Sequence, residues 1–146
     1  MNQLSVVVKQ LFDDFERGSN TFESDLLALQ FSDPFMTADP DGIIQVVKKD
    51  DFIAGISKRQ AFFQSIGFQF VKILSLDETP LDDHYVMVKA LVHMRFEKDS
   101  GQPVDLIDYS SYILFIKDDL PKIVFYLTHE NLMKIMQDKG LLPTNQ

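Results

Sequence analysis

The sequence predicts an α+β fold in which helices lie on one face of a long, strongly curved, mostly antiparallel sheet. Two observations carry this. First, residues 84–97, 104–117 and 122–129 are long runs rich in Val, Ile, Phe, Tyr and Leu, residue types that suit a pleated surface. Turn material bounds them, at residues 98–101 with Gly101 and at residues 117–121 with Asp118, Asp119 and Pro121, so an antiparallel meander follows. Second, a strand of about a dozen residues is roughly twice the usual length. A sheet that long twists and curls, and everything upstream reads as helix and short strand able to fill the curl.

Val6, Val7, Val8, Leu11, Phe12 and Phe15 recur at helical spacing between Lys9, Gln10, Asp13, Asp14 and Glu16. This is an amphipathic helix that Gly18 is expected to end. Ser24 is expected to cap a short second helix holding Leu26, Leu27 and Leu29. Residues 31–38 read as a short strand, confined to an edge or a bulge because Pro34 has no N–H to donate. Asp39-Pro40-Asp41-Gly42 is a turn, and residues 43–47 return as the second strand of a hairpin.

The strongest helix covers residues 48–67, with Phe52, Ile53, Ile56, Phe62, Phe63 and Ile66 near one stripe. Asp50 or Asp51 is expected to cap it and to place negative charge in its first turn, and Gly67 stops it. Residues 68–76 form another strand and residues 77–83, with Pro80, a polar loop. After the three long strands, residues 130–139 form a closing helix and residues 141–146 a tail. No linker or repeat interrupts this order, so residues 1–146 read as one domain.

Of the 146 residues, 45% are apolar, enough for a real core. Thirteen Phe against no Trp and no Cys mark a greasy interior, packed or partly hollow. The lack of Cys excludes disulfides and thiolate chemistry and fits a reducing compartment. With 22 acidic and 14 basic residues the net charge is -8, which argues against nucleic acid and anionic membrane surfaces as partners. No apolar run approaches the ~20 residues of a membrane span, and the start of the sequence lacks a basic signal region. A cytoplasmic location is expected.

The element order resembles the nuclear-transport-factor-2-like (SnoaL-like) superfamily over nearly the whole chain. The phrases that carry it are Arg17-Gly18 ending the first helix and Leu26-Leu27-Ala28-Leu29 leading into Phe31-Ser32-Asp33. Asp39-Pro40-Asp41-Gly42, Phe62-Phe63, and a last strand Lys122-Ile123-Val124-Phe125-Tyr126 ending near His129 complete the set. The resemblance implies a cystatin-like cone: a curved sheet wrapped around one long helix plus N-terminal helices, with a pocket at the open end. It also implies a homodimer through the outer sheet face. Its members range from ketosteroid isomerase and scytalone dehydratase to polyketide cyclases and transport adaptors, so the fold leaves function open.

Within that resemblance, Asp39 stands where ketosteroid isomerase carries its base, in a Glu-Asp-Pro-hydrophobic-Gly phrase that here reads Ala38-Asp39-Pro40-Asp41-Gly42. The chemistry needs a carboxylate whose pKa a greasy pocket raises. The oxyanion donors do not carry over: Leu11 and Ser111 stand where the Tyr and the protonated Asp would fall. From the residues alone, Asp39 simply opens a turn. His129 ends the last strand near the mouth, where it serves as a general acid or base or as a hydrogen-bonded strand end.

The other pocket candidates are Phe31, Asp33, Phe35, Phe63, Tyr109 and Tyr126. Phe31, Asp33, Phe35 and Asp39 share one strand face by parity. Tyr109 and Tyr112 lie three apart on one strand, so at most one points inward. In residues 84–97, Val88, Ala90, Val92, Met94 and Phe96 form the core face, with Lys89, Leu91, His93 and Arg95 opposite. His93, Tyr112 and Phe125 are outer-face candidates. His84, His93 and His129 form no close pair or His-Glu motif, so neither metal nor cofactor is expected. The expected function is binding of a small hydrophobic or aromatic molecule. The alternatives are a cofactor-independent dehydratase, isomerase or cyclase with Asp39 as base, and a dimerisation or interaction module.

Overall fold

The computed structural model describes residues 5–97 and 101–141. The extreme N-terminus, most of the turn read at 98–101 and the tail beyond Leu141 lie outside the described residues.

Helix α1, Val6–Thr21, buries Val8, Leu11 and Phe12, the i, i+3, i+4 stripe that its periodicity requires. Its cap is Ser5, whose side chain accepts from Val8 N. The helix runs one turn past Gly18, contrary to expectation. Gly18 is a packing position instead: a Cβ there would meet Leu27 Cγ at 3.0 Å, so glycine lets α1 approach α2, Ser24–Leu29. The helix ends at Phe22, which takes the left-handed conformation with φ 57°. The cap position of α2 is Glu23, not Ser24.

Strand β1, Phe31–Ala38, pairs antiparallel with β2, Ile44–Val47, through the Asp39–Gly42 turn. Helix α3, Lys49–Ser65, carries Asp50 and Asp51 in its first turn, where negative charge meets the helix dipole. Neither carboxylate caps it. The acceptor for Lys49 N is Asp33 Oδ1 on β1, at 3.0 Å. Parity therefore fails for Asp33. The β1 register against β6 shifts between Phe31 and Met36, where the Asp33–Pro34 peptide is cis. Phe31 and Phe35 remain buried while Asp33 is exposed.

Strands β3, Phe68–Pro80, β4, Tyr85–Phe96, β5, Val104–Lys117, and β6, Leu120–Thr128, follow as an antiparallel meander. β3 runs four residues beyond the expected end, to Pro80, which an edge strand tolerates. Asp118 and Asp119, with φ 53° and 60°, make the two-residue turn whose twist suits a tight hairpin. β6 returns beside β1 in the sheet's one parallel pairing, giving the order β2-β1-β6-β5-β4-β3. Helix α4, Leu132–Asp138, is capped by Asn131.

Val86, Val88, Ala90, Met94 and Phe96 are buried, the inward half of β4's alternation. Two core clusters result. One packs α1 on Val88, Tyr112, Leu114 and Ile123; the other gathers Phe63, Ile66, Phe96, Leu106, Met136 and Leu141. No helix among the described residues is long and apolar enough to cross a membrane.

Candidate ligand-binding site

Between α3 and the inner sheet face lies a cavity of about 630 Å³ lined by members of both clusters. Its size falls inside the range of small-molecule pockets, ~300–1,000 Å³. Phe52, Ile56, Arg59 and Phe63 form the α3 wall, spaced by four, three and four residues and therefore on one stripe. Phe15, Phe31 and Phe35 form one end. Val71, Ile73, Val92, Met94 and Leu106 form the sheet side. The rings pack on each other: Phe31 lies 4.5 Å from Phe35 and 4.7 Å from Phe52 between centroids.

Polar groups enter at a few points. Tyr112 is 3% exposed, with Phe12 edge-on at 5.0 Å and Tyr126 at 5.0 Å. Burial pushes its phenol well above the ordinary tyrosine value; neighbouring Tyr126 adds to this, while the Ser110 hydroxyl and the Arg59 charge oppose it. Tyr112 is thus a neutral hydroxyl in a dry wall. The Arg59 guanidinium lies 4.7 Å above the Phe63 ring. Thr37, Gln45, Thr128, His129 and Glu130 add further polar groups, and Leu132 and Ile135 bring α4 to the wall.

Among the sequence-predicted residues, Phe31, Phe35, Phe63, Tyr109, Tyr126 and His129 line the cavity. Asp33 and Asp39 are not among its lining residues. Asp33 caps α3. Asp39 Oδ1 accepts from Asp41 N at 2.9 Å and Ile43 N at 3.0 Å, which locks the turn. The pair of carboxylates expected in one pocket is therefore absent there, because each serves the backbone. Three other carboxylates line the cavity, Asp105, Asp108 and Glu130; Asp108 Oδ1 accepts from Tyr109 N at 2.7 Å. His129 Nε2 lies 2.7 Å from the Ser111 hydroxyl, a partner on the face of β5 opposite Ser110 and Tyr112.

Tyr112 was expected on the outer face; the register sets it opposite Val88 and turns it inward, with Tyr109 opposite Leu91. Arg59, Asp105, Asp108, Ser110 and Tyr112 are among the polar lining residues that sequence reasoning missed. The signal for Tyr112 was the register of β5 on β4, whose core face was readable. Asp105, which also lies on the cavity's lining, receives the Arg95 guanidinium at 2.7 Å and His93 Nε2 at 2.6 Å. The Arg95 bond, then the His93 bond, pulls the Asp105 carboxyl down to about 2. Among the described residues no three His, Cys, Asp or Glu side chains converge as a metal site.

No family model matches this sequence, and no curated protein does. Solved structures do. An NTF-2 like protein of unknown function from Shewanella oneidensis MR-1 superposes with a TM-score of 0.67 at 16% identity, over 85% of this chain and 97% of its own. An NTF2-like protein with a cystatin-like fold from Novosphingobium aromaticivorans gives 0.69 at 9% identity, over 94% and 87%. The chain has the nuclear-transport-factor-2-like fold. A ketosteroid isomerase-like protein from Erwinia carotovora atroseptica SCRI1043 has this fold too, with a TM-score of 0.63 at 11% identity, over 88% of this chain and 97% of its own. At these identities the likeness concerns architecture, and function rests on the site.

Proposed function

We propose that this NTF2-like chain is a small-molecule-binding protein whose cavity takes a compact hydrophobic or aromatic ligand. The observation that carries the reading is the cavity of about 630 Å³, walled by Phe15, Phe31, Phe35, Phe52 and Phe63 and mainly apolar in its lining surface. Burial of an aromatic body against such walls supplies roughly 25 cal/mol per Å² of apolar surface, and the tyrosine hydroxyls orient it. The acid–base alternative takes Asp39 as its base, and Asp39 is held in its turn by two amides. Titration calorimetry with one- and two-ring aromatic compounds tests the proposal. Micromolar binding that Val92→Trp abolishes, with the fold intact by circular dichroism, supports it; no binding by any such compound overturns it.

We further propose that two copies pair through the outer sheet face. Met36, Ile44, Val46, Tyr85 and Met87 are large apolar residues exposed on that side of the sheet or along its rim, an arrangement that favours an interaction surface. Sedimentation at micromolar concentration tests it: a dimer that Met87→Glu dissociates is expected, and a monomer removes it.

A further inference from the structure

Arg59 lies in mid-stripe on α3, one turn from Ile56 and one from Phe63, both buried and both lining the cavity. Its guanidinium is laid over the Phe63 ring at 4.7 Å, an attraction that fixes the planar group against an aromatic wall. No carboxylate pairs with it among the described residues: the ion pairs there join Lys9 to Asp13, Arg17 to Asp14, and His93 and Arg95 to Asp105. The acids that line the cavity are Asp105, Asp108 and Glu130, and none forms an ion pair with Arg59. Asp105 is taken by Arg95 and His93, and Asp108 accepts from the backbone at Tyr109. Arg59, itself exposed, therefore holds five N–H donors where the greasy cavity opens to solvent, with none of them committed to an acid. Tyr112, whose phenol feels the Arg59 charge, adds a buried hydroxyl to the same wall.

Resting on the binding function proposed above, we propose that the ligand is an amphipathic carboxylic acid: an aromatic or alicyclic body among the Phe side chains, with its carboxylate on Arg59. A guanidinium and a carboxylate match as two parallel hydrogen bonds. Arg59 continues the lining stripe of Phe52, Ile56 and Phe63 but is exposed, so an anionic head bound there sits at the opening while the body lies inside. The body needs no charge partner, since the walls that face it are Phe, Val, Ile and Met.

The test compares 2-naphthoic acid with its neutral isostere 2-naphthamide at pH 7, by titration calorimetry, on the wild type, Arg59→Met and Arg59→Lys. The wild type should bind the acid about tenfold tighter than the amide, the scale of a charge-assisted bond over a neutral one. Arg59→Met should erase that preference and leave amide binding in place; Arg59→Lys should keep part of it. Equal binding of acid and amide by the wild type, or a preference that survives Arg59→Met, overturns the carboxylate assignment while leaving the hydrophobic pocket standing. Binding of neither compound overturns the pocket and this assignment together.

Discussion

Asn20 on α1 pairs through its side-chain amide with both backbone groups of Val71 on β3: Nδ2 donates to Val71 O at 2.8 Å, and Val71 N donates to Oδ1 at 2.7 Å. The amide thereby copies the two hydrogen bonds of a neighbouring strand. Glu16 continues the pattern one step along, accepting from Ile73 N at 2.6 Å, and Ser5 N donates to Glu78 Oε2 at 2.8 Å. β3 is the terminal strand of the sheet, thirteen residues long, and an open edge of that length invites pairing with another chain. Helix α1 closes part of it with side chains.

Removing that closure has a cost. Asn20→Ala leaves the Val71 N–H and C=O without partners beside a buried side chain, which should destabilise the fold by about 1–3 kcal/mol. Urea unfolding followed by circular dichroism measures it. Asn20→Asp keeps the acceptor and loses the donor, so it should fall between. Light scattering at raised concentration should also show Asn20→Ala associating more than the wild type.

Gly67 joins α3 to β3 in a place no other residue fits. Its φ is 85°, and a Cβ there would meet Glu97 O at 2.1 Å, while Gly67 O accepts from Glu97 N at 2.7 Å. The strained backbone alone costs an L-residue about 1–2 kcal/mol, and the overlap with backbone cannot be relieved by turning a side chain. Gly67→Ala should therefore lower stability by at least ~2 kcal/mol, read as a fall in thermal midpoint of several degrees. Gly42→Ala serves as the comparison: its φ is 83° but no atom lies within 4 Å of the added Cβ, so its loss should be the smaller.

The architecture was legible where one residue's neighbours along the chain decide its environment. β5 was readable to both its ends, since apolar runs and turn residues are local signals. The core face of β4 followed from alternation alone. What escaped depended on distant partners. Gly18 has the look of a helix terminator, and only the approach of Leu27 explains it as a packing position. Asp33 and Asp39 looked like pocket carboxylates because alternation was carried through a segment where the register shifts; the amides they accept from belong to α3 and to the turn. Tyr112 needed the β4–β5 register, which the sequence between Phe96 and Val104 does not specify as a two-residue turn sequence would. Arg59 needed the location of the cavity itself.

The Asp105 cluster predicts an acid-side pH dependence. In the folded protein the carboxyl titrates at about 2 against an ordinary 3.8. Between these values the unfolded chain binds the proton more readily, so acidification favours unfolding. The stabilisation from Arg95 and His93 is present above pH 4 and fades as the pH falls through 2. Asp105→Asn should be less stable than the wild type at pH 6, and the difference in urea midpoint should shrink steadily from pH 4 to pH 2. A difference that stays constant over that range would show that the ion pairs contribute nothing to the fold.

Tyr112 predicts the opposite limb. Its phenol is buried, so desolvation, then the neighbouring Tyr126, hold its pKa well above the ordinary value of 10.0. An unfolded chain releases that proton near pH 10 while the folded protein keeps it, so the folded state binds more protons and loses stability as the pH rises past 10. Below pH 10 the effect is absent. Tyr112→Phe keeps the ring against Phe12 and Phe15 and removes the ionisable group, so its stability should decline less steeply above pH 10 than the wild type's. Guanidinium unfolding midpoints at pH 8, 10 and 11, taken on both proteins, make the comparison. At pH 8 the two should differ by only about 1 kcal/mol, the usual net worth of one buried hydroxyl bond, and the gap should then move in favour of Tyr112→Phe as the pH climbs. Parallel declines in the two proteins would mean that water reaches the Tyr112 oxygen and that the cavity wall is wetter than its Phe and Val lining implies.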